Sequence, residues 1–166
     1  MLLFPLPRSL HSFPACRVLR VSDEALRVAG LIGRTVIAPG NGVYLPEAVE
    51  GEVRGPQGLI NVPAGASAVQ LVVKDLSGAL VKTQALGTTR GAQAFTWDGT
   101  TNEGGAAPAG GYRIEVIARV GDENVSLKTS VAARVSSVSL DPATGALMLD
   151  TDSLGELAMG DIERVL

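Results

Sequence analysis

The chain has 166 residues, a formal net charge of −3 and an apolar fraction of 46%, enough for a buried core in one domain or two small ones. Its single cysteine and single histidine exclude an internal disulfide framework, multi-cysteine metal sites and histidine clusters, and its acidic balance speaks against a nucleic-acid partner. Glycine supplies 20 residues and proline 9 while aromatics make up only 4%, so the expectation is a turn-rich fold with a core of Val, Leu, Ile and Ala rather than a helical bundle.

The run Met1 to Pro7 is apolar but short, lacks a leading positive charge and is broken by Pro5 and Pro7, which makes it a poor secretory signal. Phe13-Pro14-Ala15-Cys16 matches a lipoprotein cleavage site only weakly. No apolar run reaches the roughly 18 residues of a membrane helix. Residues 1–29 are expected to be a flexible leader with room for one short helix over Ser22 to Ala29, capped by Ser22 or Asp23 and ended by Gly30. His11 and Cys16 both fall in this leader.

From there the period changes to two. Leu31 to Ala38, Val43 to Leu45 and Ala48 to Val53 read as short strands of a hairpin or meander, with Pro39-Gly40-Asn41-Gly42 and Gly55-Pro56 as breakers. Val69 to Asp75 and Ala79 to Leu86 alternate around the turn Ser77-Gly78. Gln93 to Trp97 puts Phe95 and Trp97 on one face, Asp98-Gly99 ends it, and Thr100 to Gly111 is a loop. Tyr112 to Val120 is the clearest strand, and Ser126 to Val135 is expected to pair with it as a hairpin around Gly121 to Asn124. Val138 to Leu140 and Ala146 to Leu149 are short strands; Leu154 to Met159 is ambiguous, and Asp161 to Leu166 is either a last strand or a helical turn. Short strands at close spacing with Gly/Pro turns predict an all-β architecture. Neither flank buries much alone, so residues 30–62 plus 134–166 are expected to form one small split barrel, with a sandwich of the immunoglobulin or fibronectin type III kind inserted as residues 63–133.

Catalytic patterns are missing from the sequence. There is no G-x-S-x-G elbow, no S-x-x-K and no Walker A lysine after Gly104. Asp98-x-Thr100-x-Asn102 begins like a calcium loop, but Glu103 stands where the glycine belongs and Ala109 where the bidentate acid belongs. Asp122-Glu123 and Asp150-x-Asp152 read as solvated turn acids. The expectation is a protein that is not an enzyme, with no catalytic residue, metal ligand, cofactor or small-molecule substrate. Trp97 reads as a core residue beside Phe95; the competing reading is an exposed stacking platform, with Trp97 or Tyr112 serving an extracellular adhesion or carbohydrate-binding module.

The run from Phe95 to Tyr112 (FTWDGTTNEGGAAPAGGY) resembles the W-D-G-x(n)-G-x-x-x-P-x-G-x-Y signature of the flagellar hook-capping protein family, also called basal-body rod modification or hook-assembly proteins. Trp97, Asp98, Gly99, Pro108, Gly110 and Tyr112 carry the match, mainly as structural residues. Leu31 to Asn41, with Gly33, Pro39, Gly40 and Asn41, is similar to the family's entry segment; Val72 to Gly78 and Val135 to Val138 fall in matching order. The resemblance covers about residues 22–166 and implies a Tudor-like barrel split by a fibronectin type III-like insertion. It implies a non-enzymatic scaffold that caps the distal end of the growing hook, reached by type III export from the cytoplasm. The implied partners are hook subunits and further copies in a homo-oligomer, without nucleic acid or membrane. Loops on rigid scaffolds carry recognition, so Asn41, Tyr44, Thr100, Asn102 and Glu103 are the candidate partner contacts. Residues 1–21 show nothing like the family's longer N-terminal export segment, so a truncated or misassigned start is expected.

Overall fold

A computed structural model describes residues 22–47 and 55–166. The leader through residue 21 and the whole strand expected at Ala48 to Val53 lie outside them. A helix, α1 (Ser22–Ala29), forms where the cap signal places it and buries Val28. Twelve strands follow among the described residues: β1 (Thr35–Pro39), β2 (Gly42–Leu45), β3 (Gln57–Val62), β4 (Ala66–Asp75), β5 (Leu80–Leu86), β6 (Gly91–Thr96), β7 (Gly110–Val120), β8 (Glu123–Leu127), β9 (Thr129–Leu140), β10 (Leu147–Thr151), β11 (Gly155–Ala158) and β12 (Arg164–Val165). A 3-10 turn, Met159–Asp161, joins the last two.

The strands make two sheets. One runs β2-β7-β4-β5, with β8 also beside β7; the other runs β11-β10-β9-β1-β12, with β3 pairing β9 and β6 pairing β3. Alternation decides which face is buried. On β7, Tyr112, Ile114, Val116 and Ala118 point inward while Arg113 and Arg119 face solvent. The inner face of the first sheet packs against β3, β6 and the start of β9, forming a larger core around Trp97, Leu71 and Ile114. A smaller core joins Val28, Val36, Ala38, Val135, Leu149 and Leu157, under the curl of β9, β10, β11 and β1. Each fully buried side chain of Leu or Ile size contributes about 1.5–3 kcal/mol of hydrophobic stabilisation.

Four expectations need correction. First, Pro39 to Gly42 does not close a hairpin: β1 pairs β9 and β12, β2 pairs β7, and the turn carries the chain from one sheet to the other. Leu31 to Gly33 belongs to the turn after α1, so that strand begins only at Thr35. Second, β3 was not expected. It follows the breaker Gly55-Pro56, and a side chain at its Gly58 would collide with the Phe95 ring and with the Ser130 carbonyl, so the glycine is what lets β3 lie against its neighbours. Third, Ser126 to Val135 is not one strand. β8 ends at Leu127 after a tight turn at Gly121-Asp122, the chain changes sheets at Lys128, and β9 runs unbroken past Val138 to Leu140. Fourth, β2 and β3, placed in the outer body with residues 30–62, send Val43, Leu45, Ile60 and Val62 into the larger core. Packing therefore divides the chain near Pro39, not after Val62.

Candidate functional site

The motif residues sit at one end of the sandwich. Trp97 follows β6 and is fully buried, its ring edge-on to Tyr112 with centroids 4.9 Å apart and planes at 71°. Its indole N–H donates to the Thr100 carbonyl at 2.9 Å. Asp98 then makes an Asx turn: its Oδ1 accepts from the Thr100 backbone N–H at 3.0 Å and from the Thr100 hydroxyl at 2.7 Å. These bonds, the hydroxyl's first, hold the Asp98 carboxyl below its ordinary value of 3.8. Gly99 has φ +75°, a left-handed conformation that side chains disfavour, and an added Cβ would stand 3.0 Å from Leu45 Cδ1. The Tyr112 hydroxyl donates to the Pro108 carbonyl at 2.5 Å, which fixes the loop's far end. Burial, then the charge of Asp75, pushes the Tyr112 phenol above its usual 10.0.

The loop between these anchors lies along β5. Asn102 N–H donates to the Val81 carbonyl at 2.9 Å, and its side-chain Oδ1 accepts from the Thr83 N–H at 3.0 Å. Lys82 Nζ donates to Thr100 Oγ1 at 2.9 Å and to the Thr101 carbonyl at 3.2 Å. Asn102 therefore supplies the donor and acceptor that a neighbouring strand would supply, and it satisfies part of the edge of β5. Of the expected contacts, Thr100 and Asn102 bond within the fold, Asn102 while itself exposed, and Glu103 is exposed at the loop tip.

The second candidate segment is also engaged. The Asn41 carbonyl accepts from Ile114 N–H at 2.7 Å, although the Asn41 residue itself is exposed. Gly40 N–H donates to the Thr129 carbonyl at 3.0 Å and the Thr129 hydroxyl donates back to the Gly40 carbonyl at 2.6 Å. Gly33 N–H donates to Val135 at 2.8 Å, and Pro39 ends β1 opposite Ser130. Tyr44 is 46% exposed and lies opposite Gly111, against whose Cα face the side chain of Leu76 rests. Leu76 is 75% exposed, and sequence reading missed it because a lone leucine in a turn carries no periodic signal. Among the described residues no group of three or more His, Cys, Asp or Glu could hold a metal ion.

The profile for the FlgD Ig-like domain matches residues 48–122, a span that includes β3 and the whole Trp97–Tyr112 motif. The chain is 29% identical over 149 residues to the basal-body rod modification protein FlgD of Escherichia coli K12 and 27% identical to that of Salmonella typhimurium. The fold of FlgD from Xanthomonas campestris superposes with a TM-score of 0.70 at 28% identity, covering 87% of this chain and all of that one. The chain is similar to FlgD, and its residues 48–122 match the FlgD Ig-like domain. FlgD from Pseudomonas aeruginosa gives a TM-score of 0.68 at 29% identity, over 80% of this chain and 97% of that one. The matches to the E. coli and Salmonella FlgD proteins each cover 87% of this chain and 63% of theirs, so the chain spans less than two thirds of the curated relatives' length. The motif that carried the resemblance has a structural job in this chain: its aromatic pair, Asx turn and tyrosine bond all act within the chain.

Proposed function

We propose that this chain is the β-rich part of a non-enzymatic scaffold that promotes assembly of the bacterial flagellar hook, working as a cap at the distal end of the growing structure after type III export. What supports this most is the fold match along 87% of the chain to FlgD of X. campestris, a protein whose structure was described as giving insight into hook capping essential for flagellar assembly. The geometry agrees with a scaffold role, since the polar groups of the motif bond to one another and to the sheet edge instead of converging on a ligand. In this reading the partners are hook subunits and further copies of the chain in a homo-oligomer. Tyr44, Asn41 and Glu103 offer exposed side chains for such contacts, while Thr100 and Asn102 hold the surface in shape. The smaller body, with its 3-10 turn before a last strand returning to β1, is read as the Tudor-like barrel, and the larger one as the inserted fibronectin type III-like sandwich. A carbohydrate-binding module requires an exposed aromatic platform, and Trp97 and Tyr112 are both buried.

Complementation of a hook-cap deletion tests the proposal. The chain fused to a hook-cap N-terminal export segment restores hook growth and motility, and the same fusion carrying Tyr44→Ala with Glu103→Ala restores less. A fusion that is exported and folded but leaves the strain without hooks overturns it.

A further inference from the structure

We propose that Leu154 is a key that locks the two β cores at a fixed angle. Leu154 packs against both cores, the larger around Trp97 and the smaller around Leu149. Its own loop belongs to the smaller body. The Thr151 hydroxyl accepts from Leu154 N–H at 3.1 Å and donates to the Gly155 carbonyl at 2.8 Å. Asp152 is tied to β9 twice, its Oδ1 accepting from Arg134 N–H at 3.0 Å and its N–H donating to the Arg134 carbonyl at 3.2 Å. The loop is therefore rigid, and it presents Leu154 to the crossing between β1 and β2.

The receiving surface is cut to shape. A methyl added at Gly40 would overlap Leu154 Cδ2, and one added at Gly42 would stand 2.7 Å from the Ser153 carbonyl oxygen. Both positions lack a side chain where the key approaches, which accounts for the Gly-x-Gly spacing without any partner. The Ser153 hydroxyl is buried at the same seam. Two chain segments pass between the bodies here, the β1–β2 turn and β9, and Gly40 and Thr129 bond to each other across them. With β9 continuous through the seam, rotation of one body on the other has to break that pair and withdraw Leu154. Packed interfaces of this kind hold discrete arrangements and do not deform smoothly.

Double electron–electron resonance between nitroxides at Asn124→Cys and Glu156→Cys, in full-length chain carrying Cys16→Ser, reads the angle directly. The parent gives one narrow distance distribution; Leu154→Ala broadens it about twofold or splits it. Leu154→Met, which keeps the side-chain volume, stays narrow. Leu157→Ala removes a side chain from the smaller core alone and also stays narrow. Should Leu154→Ala lose its β circular dichroism, Gly40→Ala replaces it, because its methyl expels the key from the opposite side and broadens the distribution in the same way. A parent distribution that is already broad, a folded Leu154→Ala or Gly40→Ala variant as narrow as the parent, or a Leu157→Ala variant as broad as Leu154→Ala overturns the proposal.

Discussion

Residues 98–111 and residues 39–42 look alike in sequence, both rich in glycine and proline and both suited to exposed recognition loops. The structure uses them differently within the chain. The longer segment is a brace: anchored by Trp97 and Tyr112, it lays Asn102 along the edge of β5, buries Gly99 and Ala107, and keeps its outer side in solvent. The shorter segment is a crossing: it moves the chain between sheets, and its glycines admit Leu154 and Ser153. The contrast teaches that glycine serves two ends in this fold: a left-handed backbone with open space around it, as at Gly104, and a close approach within the chain, as at Gly40 and Gly42.

The brace and the crossing break under different substitutions. The largest effect is expected at the anchor of the brace. Trp97→Ala empties the centre of the larger core and leaves the Thr100 carbonyl without its donor, lowering stability by about 3–5 kcal/mol in denaturant titrations. Next comes the crossing. In Gly42→Ala the obstacle is a backbone oxygen that cannot swing aside, so the loss is about 1–3 kcal/mol; an unchanged midpoint would separate the Ser153 loop from Gly42.

Smaller effects sharpen the account of the brace. Tyr112→Phe removes one hydrogen bond, for about 1 kcal/mol. It also changes the alkaline limb. The parent keeps the Tyr112 contribution up to about pH 10 and loses it as pH rises through the raised phenol value, whereas the phenylalanine variant shows no such loss. At the acid end the sign reverses. Asp98 is held low by Thr100, Asp75 by Ser77 and Asp141 by Thr144, so their contributions stand above about pH 3.8 and fade as pH drops through the lowered values. Asp98→Asn flattens part of that acid limb in thermal melts. Least of all, Glu103→Ala at the exposed tip shifts stability by no more than about 0.5 kcal/mol, since nothing in the fold depends on it.

Much of this was legible in the sequence where period and chemistry agreed. Phe95 and Trp97 alternate onto one face, Tyr112 to Ala118 repeat the pattern, and the W-D-G to G-x-Y spacing named the family before any coordinates. Legibility failed where meaning depends on a neighbour distant in the chain. Gly58 carries no signal of its own until the Phe95 ring is seen against it. Lys128 shows no sign that the chain changes sheets there, because both sides of it alternate equally well. Leu154 sits in a stretch with no clear period, and its role exists only where two cores meet. The loop around Asn102 was half readable for the same reason: sequence places Asn102 in a loop but does not show that the loop has a strand to cover.

The claim on which the rest depends is that the Trp97–Tyr112 motif is an internal brace. Trp97 is the only tryptophan in the chain, so its fluorescence reports on that site alone. A buried indole predicts blue-shifted emission that acrylamide quenches poorly and that saccharides leave unchanged. Red-shifted emission, ready quenching or a saturable change on adding sugars would contradict the account and restore the exposed aromatic platform.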